Sequence, residues 1–156
     1  MTSDGSDQNL SLGVLIYSDR GIAETVELAK LSESLGCNYF WYTDVRFARE
    51  CYVVLGSIAS ATKNILLAPG VTDPYSRHPA LTAVAIATLD EMSNGRAVLG
   101  LGVGAAGFKE LGITPVLPIA AMREAIAVFR GLLTGNEVTV EGKVISLEGG
   151  ALTFEP

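Results

Sequence analysis

The sequence predicts an α/β fold with a parallel sheet. Short apolar runs alternate four times with longer segments of helical periodicity, an order typical of parallel strands joined by right-handed crossover helices. Hydrophobic residues make up 49% of the 156 residues and charged residues only 18%, which is the composition of a domain with a buried core. Periodicity alone fits two architectures equally well: half of an eight-stranded barrel, or a small open doubly wound sheet.

The first two strand–helix units occupy the N-terminal part of the chain. We expect a strand over residues 12–17 and a helix over residues 22–35 that ends at Gly36, because glycine readily adopts the left-handed backbone of a helix end. The aromatic run at residues 39–43 predicts a second strand, and residues 52–61 predict a second helix. The apolar stripe of the first helix is predicted to contain Leu28, Leu31 and Leu35.

The next two units complete the regular alternation. Residues 65–71 are almost wholly apolar, as expected for a strand covered on both faces, and residues 97–103 predict a fourth strand. Between them, Pro79 opens a helix that Asn94 and Gly95 close. The apolar stripe expected for this helix comprises Leu81, Val84, Ala85, Thr88, Leu89 and Met92.

The C-terminal region departs from this alternation. Pro118 opens a last helix that ends at Gly135, and residues 137–140 and 143–147 predict a small β-hairpin. The apolar stripe expected for the last helix comprises Ile119, Met122, Ile126, Phe129 and Leu133.

Composition and charge argue against several classes of function. The net charge of −6 and the pI of about 4.7 argue against a nucleic-acid partner. There is no basic and then apolar leader and no apolar run long enough for a membrane, so we expect a cytoplasmic protein whose residues 1–11 form a disordered arm. Cys37 and Cys51 lack zinc-ligand spacing and His78 is the only histidine, so we expect reduced, packed cysteines and no metal site.

Three runs of sequence resemble one known family. APGVTDPYSRHP at residues 68–79, TLDEMSNGR at residues 88–96 and GLGVG at residues 100–104 are similar, in order and spacing, to segments of the luciferase-like monooxygenase superfamily. Within it they resemble the coenzyme F420-dependent reductases, such as methylene-tetrahydromethanopterin reductase. The tail is similar to the family's insertion after the fourth helix, and the resemblance covers residues 12–156.

The family fold is a TIM-like (β/α)8 barrel of roughly twice this length. The resemblance therefore implies that residues 12–156 are the (β/α)4 N-terminal half of such a barrel, with a C-terminal β-hairpin insertion. Half a barrel leaves strand edges and part of a core uncovered, so we expect a homo-oligomer or a mate chain that supplies the second half. The implied activity is hydride transfer between coenzyme F420 and a small organic substrate.

The main candidate site is Gly70-Val71, at the end of the third strand. In the F420-dependent branch the peptide here is a non-proline cis bond that backs the deazaflavin ring, so the resemblance implies that Gly70, Val71 and the adjoining Thr72 contact the cofactor. Asp44 follows the second strand, where related reductases have an acidic residue facing the cofactor; this implies a polar contact or a proton mediator. An ordinary strand-end glycine and a helix-capping aspartate are the structural alternatives.

Two further groups complete the candidate site. Arg77 precedes the third helix and is expected to meet an anionic part of the cofactor, with a structural ion pair as the alternative. Gly102 and Gly104 belong to a small-residue loop that would let a flat ring approach the backbone, with an ordinary tight turn as the alternative. Arg46 and Arg49 are interpreted as part of a solvated face, with a source of positive potential at the mouth of the site as the alternative.

Two departures from the F420-dependent branch leave the function open. The first strand carries no acidic residue, and Val45 stands where the branch has a histidine after the aspartate. Proton handling and the branch's particular substrate are therefore not carried over to this chain. The alternatives are an FMN-dependent monooxygenase component and a non-catalytic half-barrel that serves as a binding or assembly module.

Overall fold

The computed structural model describes residues 10–104 and 107–156. Most of the predicted disordered arm, residues 1–9, lies outside the described residues, and Leu10 and Ser11 are exposed. Three parallel strands, four helices and a terminal hairpin make up the described part. In chain order they are β1 (Gly13–Ile16), α1 (Ile22–Ser34), β2 (Tyr39–Tyr42), α2 (Cys51–Ala61), β3 (Leu66–Pro69), α3 (Pro79–Ser93), α4 (Pro118–Leu132), β4 (Val138–Glu141) and β5 (Ser146–Gly150).

The sheet has the order β1-β2-β3, with all neighbours parallel. Each strand is followed by a helix, so the predicted α/β alternation is confirmed, and β4 and β5 form the predicted antiparallel hairpin. The hairpin strands begin one and three residues later than expected, at Val138 and Ser146. Because the strands are parallel, the loops after β1, β2 and β3 meet at one edge of the sheet.

The predicted fourth strand is only partly formed. Instead of a continuous strand, residues 97–102 make two isolated parallel bridges to the β3 region, Leu67 with Ala97 and Thr72 with Leu101. Five positions separate Leu67 from Thr72, whereas four separate Ala97 from Leu101, so the β3 side carries one extra residue between the bridges. An extra residue on one side is the signature of a bulge, which interrupts the ladder and bends the backbone. The prediction of a regular strand was wrong for this reason.

The two faces of the sheet are covered differently. Phe40, Tyr42 and Leu67 are fully buried and pack on a cluster that includes Val54 and Leu55 of α2. This is the helix-covered face. On the opposite face, Tyr39 and Trp41 are half-buried and stacked at 6.1 Å between ring centres, and Leu15 and Tyr17 are 49% and 65% exposed. We call these four residues the open face.

Helices α1 and α3 bury several small side chains and expose several large ones. In α3 the buried positions include Thr82, Ala83 and Ala87, whereas Leu81 and Met92 of the predicted stripe are exposed. The same shift occurs in α1, which buries Thr25, Ala29 and Ser32. In α4 the predicted Phe129 is buried together with Val128 and Leu132, whereas the predicted Ile119 and Ile126 are exposed. The stripes were therefore confirmed at Phe129 and at Leu89 of α3 and wrong at most other positions, because small residues let the helix backbones approach the layer beneath them.

Buried polar groups fix the loops at the other end of the sheet. Arg96 is 7% exposed and donates hydrogen bonds to the carbonyls of Ala59, Thr62, Ile65 and Ser93. Glu33 accepts the backbone N–H groups of residues 63–65. Burial raises the pKa of the Glu33 carboxyl, but the three N–H donors outweigh it and leave the pKa below its usual range.

Among residues 10–104 and 107–156, no helix combines the length and the apolar character needed to cross a bilayer.

Candidate functional site

An open cleft of about 570 Å³ lies where the loops after the parallel strands meet. Five of the residues predicted as site residues line it: Asp44, Gly70, Val71, Gly102 and Gly104. They come from three separate loops, and the parallel sheet brings them together because its carboxyl ends share one edge. The remaining lining comes from residues with no predicted ligand role: Leu15, Tyr17, Thr43, Val45, Arg46 and Val103.

Gly70 and Val71 form the floor of the cleft beside the bulge. The peptide between them is cis, as the resemblance implied. The Gly70 N–H donates to the Tyr42 carbonyl at 2.8 Å, and Val71 is 42% exposed towards the cleft. A Cβ atom at Gly70 would lie 3.3 Å from both Leu15 Cδ1 and Trp41 Cβ, so the absence of a side chain leaves a shallow depression there.

Gly102 and Gly104 form the facing wall. A Cβ atom at Gly102 would lie 2.7 Å from Val71 Cγ2, so only glycine fits without displacing the floor. Gly104 has φ of +71°, a backbone conformation that favours glycine. Ala105 and Ala106, the next residues of the small-residue loop, lie outside the described residues.

Asp44 is the one carboxylate among the described residues that line the cleft. It is half-buried, and no described residue forms a hydrogen bond or ion pair with its side chain. A partly desolvated carboxylate without an internal partner is free to accept a hydrogen bond from a ligand or to take up a proton. The helix cap considered as its alternative is provided by Glu50, whose side chain accepts the N–H of Val53 at 2.8 Å.

Thr72 and Arg77 lie outside the cleft. Thr72 is 1% exposed, and its backbone pairs with Gly100 and Gly102 of residues 97–102, which we call the fourth segment. The Arg77 guanidinium pairs with Glu50 and lies 5.1 Å from the centre of the Tyr52 ring. Arg77 therefore forms an ion pair between two loops, which is the alternative to a cofactor contact that the sequence left open.

His78 is held at both ring nitrogens. Its Nδ1 accepts the N–H of Ala80 at the start of α3, and its Nε2 lies 3.0 Å from the Ser146 carbonyl. No group of three or more potential metal ligands occurs within residues 10–104 and 107–156. Burial raises the pKa of the Cys51 thiol and of the Tyr52 phenol, so neither ionises near neutral pH to act as a nucleophile.

Arg46 belongs to the cleft, and the interpretation of its side chain as part of a solvated face was wrong. The side chain is only 12% exposed and pairs with Asp73, whose side chain is 1% exposed. Asp73-Pro74 is a turn-forming pair, and that signal could have placed Asp73 in a structured loop. No local pattern marks Arg46, because its partner lies 27 positions away. Arg49 is exposed, as expected.

The lining of the cleft restricts the chemistry of the ligands that it can hold. Its walls are mainly apolar, two glycines open space that side chains would fill, and one unpaired carboxylate faces it. Because Asp73 neutralises Arg46, the lining carries the uncompensated negative charge of Asp44. That balance favours a neutral ring with hydrogen-bond donors over an anionic group.

Comparison with protein families shows where the chain belongs. The family model described as luciferase-like monooxygenase matches residues 5–156. The chain belongs to the luciferase-like monooxygenase family.

Relatives within the luciferase-like family include F420-dependent enzymes. A 5,10-methylenetetrahydromethanopterin reductase of Archaeoglobus fulgidus is 40% identical over 148 residues, which cover 94% of this chain and 45% of the relative. The solved coenzyme F420-dependent tetrahydromethanopterin reductase of Methanopyrus kandleri superposes with a TM-score of 0.88 at 33% identity, over 92% of this chain and 46% of that one. The chain thus spans about half the length of these relatives.

A solved structure of lower sequence identity shares the fold. The oxygenating constituent of 3,6-diketocamphane monooxygenase from Pseudomonas putida, solved in complex with FMN, superposes with a TM-score of 0.77 at 20% identity, over 88% of this chain and 43% of that one. The match at this identity concerns the fold alone. The fold is thus that of half a luciferase-like TIM barrel, as predicted.

Proposed function

We propose that this chain is the N-terminal half of an F420-dependent oxidoreductase that transfers hydride between the deazaflavin and a small organic substrate. The observation that carries the proposal is the cleft itself: Gly70, Val71 and Gly102 form a shallow, largely apolar seat with one free carboxylate, Asp44, at its side. The likeness to a methylenetetrahydromethanopterin reductase over 94% of the chain supports it.

The residues of the cleft divide the work of holding a ring. Gly70 and Gly102 leave the backbone open to close approach, and Val71 presents an apolar surface between them. The bound deazaflavin would supply the hydride chemistry. Asp44 would accept a hydrogen bond from the ring or the substrate and would hold or move a proton at its carboxylate oxygen.

Thr72 and Arg77 have indirect roles in this proposal. Thr72 supports the seat through its backbone bonds to Gly100 and Gly102, at 3.0 and 2.9 Å. Arg77 would contact an anionic cofactor tail only by leaving Glu50, so we assign it a place at the rim. An anionic tail would otherwise have to bind outside the cleft, because the lining has no uncompensated cation among the described residues.

The open face points to a partner. Leu15 and Tyr17 expose large side chains where they line the cleft, and among the described residues β1 pairs only with β2, which leaves one edge of that strand unpaired. Isolated apolar residues are common on surfaces, but an apolar sheet face next to an open edge indicates an interaction surface. A mate chain, or a second copy of this chain, would cover this face.

Two other functions remain alternatives. FMN would occupy the same seat, and a solved structure with this fold holds FMN. That reading makes the chain part of a flavin monooxygenase and predicts preferential FMN binding. A non-catalytic assembly module keeps the open face but binds neither cofactor.

Matched variants test the proposed seat. Asp44→Asn should weaken F420 binding about tenfold or more, since a charge-assisted hydrogen bond contributes about 1.5–3 kcal/mol. Gly102→Ala should weaken it by crowding Val71. The controls are Glu91→Gln, an exposed carboxylate at the end of α3, and Gly21→Ala, where a Cβ atom meets nothing within 4 Å.

The assay follows deazaflavin fluorescence with the chain in its native assembly. Loss of affinity confined to Asp44→Asn and Gly102→Ala supports the proposed seat. Equal affinity in all four variants would show that the cleft is not part of the cofactor site.

A further inference from the structure

Arg46 joins the loops that follow three successive strand segments. Its guanidinium pairs with Asp73, and its Nη2 lies 3.3 Å from Ser76 Oγ, both in the loop after β3. The same guanidinium lies 4.5 Å from the centre of the Phe108 ring, beyond the fourth segment. Arg46 itself follows β2, so one side chain connects the three loops that line the cleft.

Asp73 does not depend on Arg46 for its hydrogen bonds. Its Oδ1 accepts the N–H groups of Tyr75 and Ser76 at 2.8 Å, and its Oδ2 accepts the Ser76 hydroxyl at 2.6 Å. A buried carboxylate with three such donors remains satisfied when one partner is removed. Removing Arg46 would still leave the buried charge of Asp73 without its counter-ion, so the ion pair both compensates that charge and fixes the position of Arg46.

The loop after the fourth segment packs directly against the Arg46 side chain. Gly104 and Gly107 both have positive φ, at +71° and +79°. A Cβ atom at Gly107 would lie 2.8 Å from Arg46 Cβ, and one at Gly104 would lie 3.0 Å from Arg46 Nη2. Phe108 is 7% exposed and packs edge-on against Tyr75 at 5.8 Å. The backbone approaches this closely because glycine stands at both positions.

We propose that Arg46, held by Asp73, is a positioning residue that docks Gly104, Gly107 and Phe108 against the loops after β2 and β3 and so sets the wall of the cleft. Its charge is neutralised by Asp73, and it acts on a ligand through the position of the wall. The consequence for ligand binding rests on the proposed function, whereas the docking of the loop does not.

A second ion pair gives a matched control. Arg77 and Glu50 also join the loops after β2 and β3, but they lie outside the cleft and are 33% and 43% exposed. Exposed pairs of this kind contribute little to stability. If any bridge between these two loops were enough to fix the wall, removing either arginine would have the same effect.

Hydrogen exchange of the purified chain without ligand distinguishes the effect of the Arg46–Asp73 pair from that of the Arg77–Glu50 pair. In Arg46→Gln, peptides that contain Leu111, Gly112 and Ile113 should exchange about tenfold faster, because their N–H groups bond to the carbonyls of Phe108 and Lys109 in the docked turn. Peptides from α2 and β3 should be unchanged. Arg77→Gln should leave the turn unchanged.

Two conservative variants guard against a general loss of structure. Asp73→Asn keeps an acceptor for the N–H groups of Tyr75 and Ser76 but loses the charge that holds Arg46, so it should expose the same turn. Arg46→Lys keeps the charge without the planar face over Phe108 and should give an intermediate exchange rate. Exchange within twofold of wild type in Arg46→Gln, or an equal change in Arg77→Gln, would overturn the proposal.

Affinity for F420 is the second readout. Arg46→Gln should weaken binding about tenfold, since a displaced wall loosens the fit, while Glu91→Gln, the exposed control at the end of α3, should not. If the wild-type chain does not bind F420, the proposed function fails, and the exchange experiment still decides whether Arg46 positions the loop. If binding is intact in Arg46→Gln, the role of the wall in binding is wrong.

Discussion

The two faces of the parallel sheet differ in how much apolar surface they bury. On the helix-covered face, Phe40, Tyr42 and Leu67 are fully buried against α2 and its neighbours. On the open face, Leu15 and Tyr17 keep about half or more of their surface in solvent. Burial of apolar area is the dominant favourable term in folding, so stability resides on the first face. The second is available for a ligand at its edge and a partner across it.

Truncation of buried side chains should show the largest difference between the two faces in the free energy of unfolding. Leu55→Ala removes a fully buried side chain beneath the helix-covered face and should lower the free energy of unfolding by about 2–5 kcal/mol. Leu15→Ala, on the open face, should lower it by less than about 1 kcal/mol in dilute monomer. Urea unfolding followed by circular dichroism measures both. Equal losses would mean that the open face is part of the core of the isolated chain.

The packing of the fourth segment against β3 and Trp41 gives a second test. A Cβ atom at Gly100 would overlap the Pro69 carbonyl and lie 2.8 Å from Trp41 Cζ3. Gly100→Ala should therefore cost about 1–3 kcal/mol by overpacking and should change the fluorescence of Trp41, the single tryptophan. Gly21→Ala, in open space, is the control. A Gly100→Ala variant as stable as wild type would show that this segment separates freely from β3.

The smallest expected effect concerns pH at the end of the sheet opposite the cleft. The pKa of Glu33 is lower in the folded chain than its ordinary value of 4.5. Its ionised form therefore stabilises the fold fully above that value, and this contribution is lost as the pH falls through the folded pKa. The difference in urea midpoint between wild type and Glu33→Gln should shrink between pH 6 and about pH 3. A difference independent of pH would contradict the assignment.

Helix limits followed from the sequence because special residues mark them. Pro79 and Pro118 begin helices α3 and α4 as predicted, and Asn94, with φ of 58°, ends α3. The buried helix faces did not follow, because hydrophobicity favours the large residues Leu81 and Met92 whereas close packing selects small ones. Side-chain volume against a neighbouring layer is a tertiary property that a periodic pattern does not carry.

The candidate site was predicted where strand ends alone determine position. Asp44, Gly70 and Gly102 each follow a predicted strand, and parallel pairing is enough to bring them to one cleft. Arg46 was missed because its role depends on Asp73 and Phe108, which are close in space only after the loops have folded. The interruption of the predicted fourth strand was missed because a count of residues on one strand cannot reveal the count on its partner.

Titration of the purified chain with coenzyme F420, read by deazaflavin fluorescence with light scattering on the same samples, tests the central claim most directly. We predict saturable binding at one cofactor per chain, in an assembly larger than the monomer, and weaker binding of FMN. Tighter binding of FMN would move the chain to a flavin-dependent function. Failure of both cofactors to bind, whatever the assembly, would contradict the assignment of the cleft as a cofactor seat.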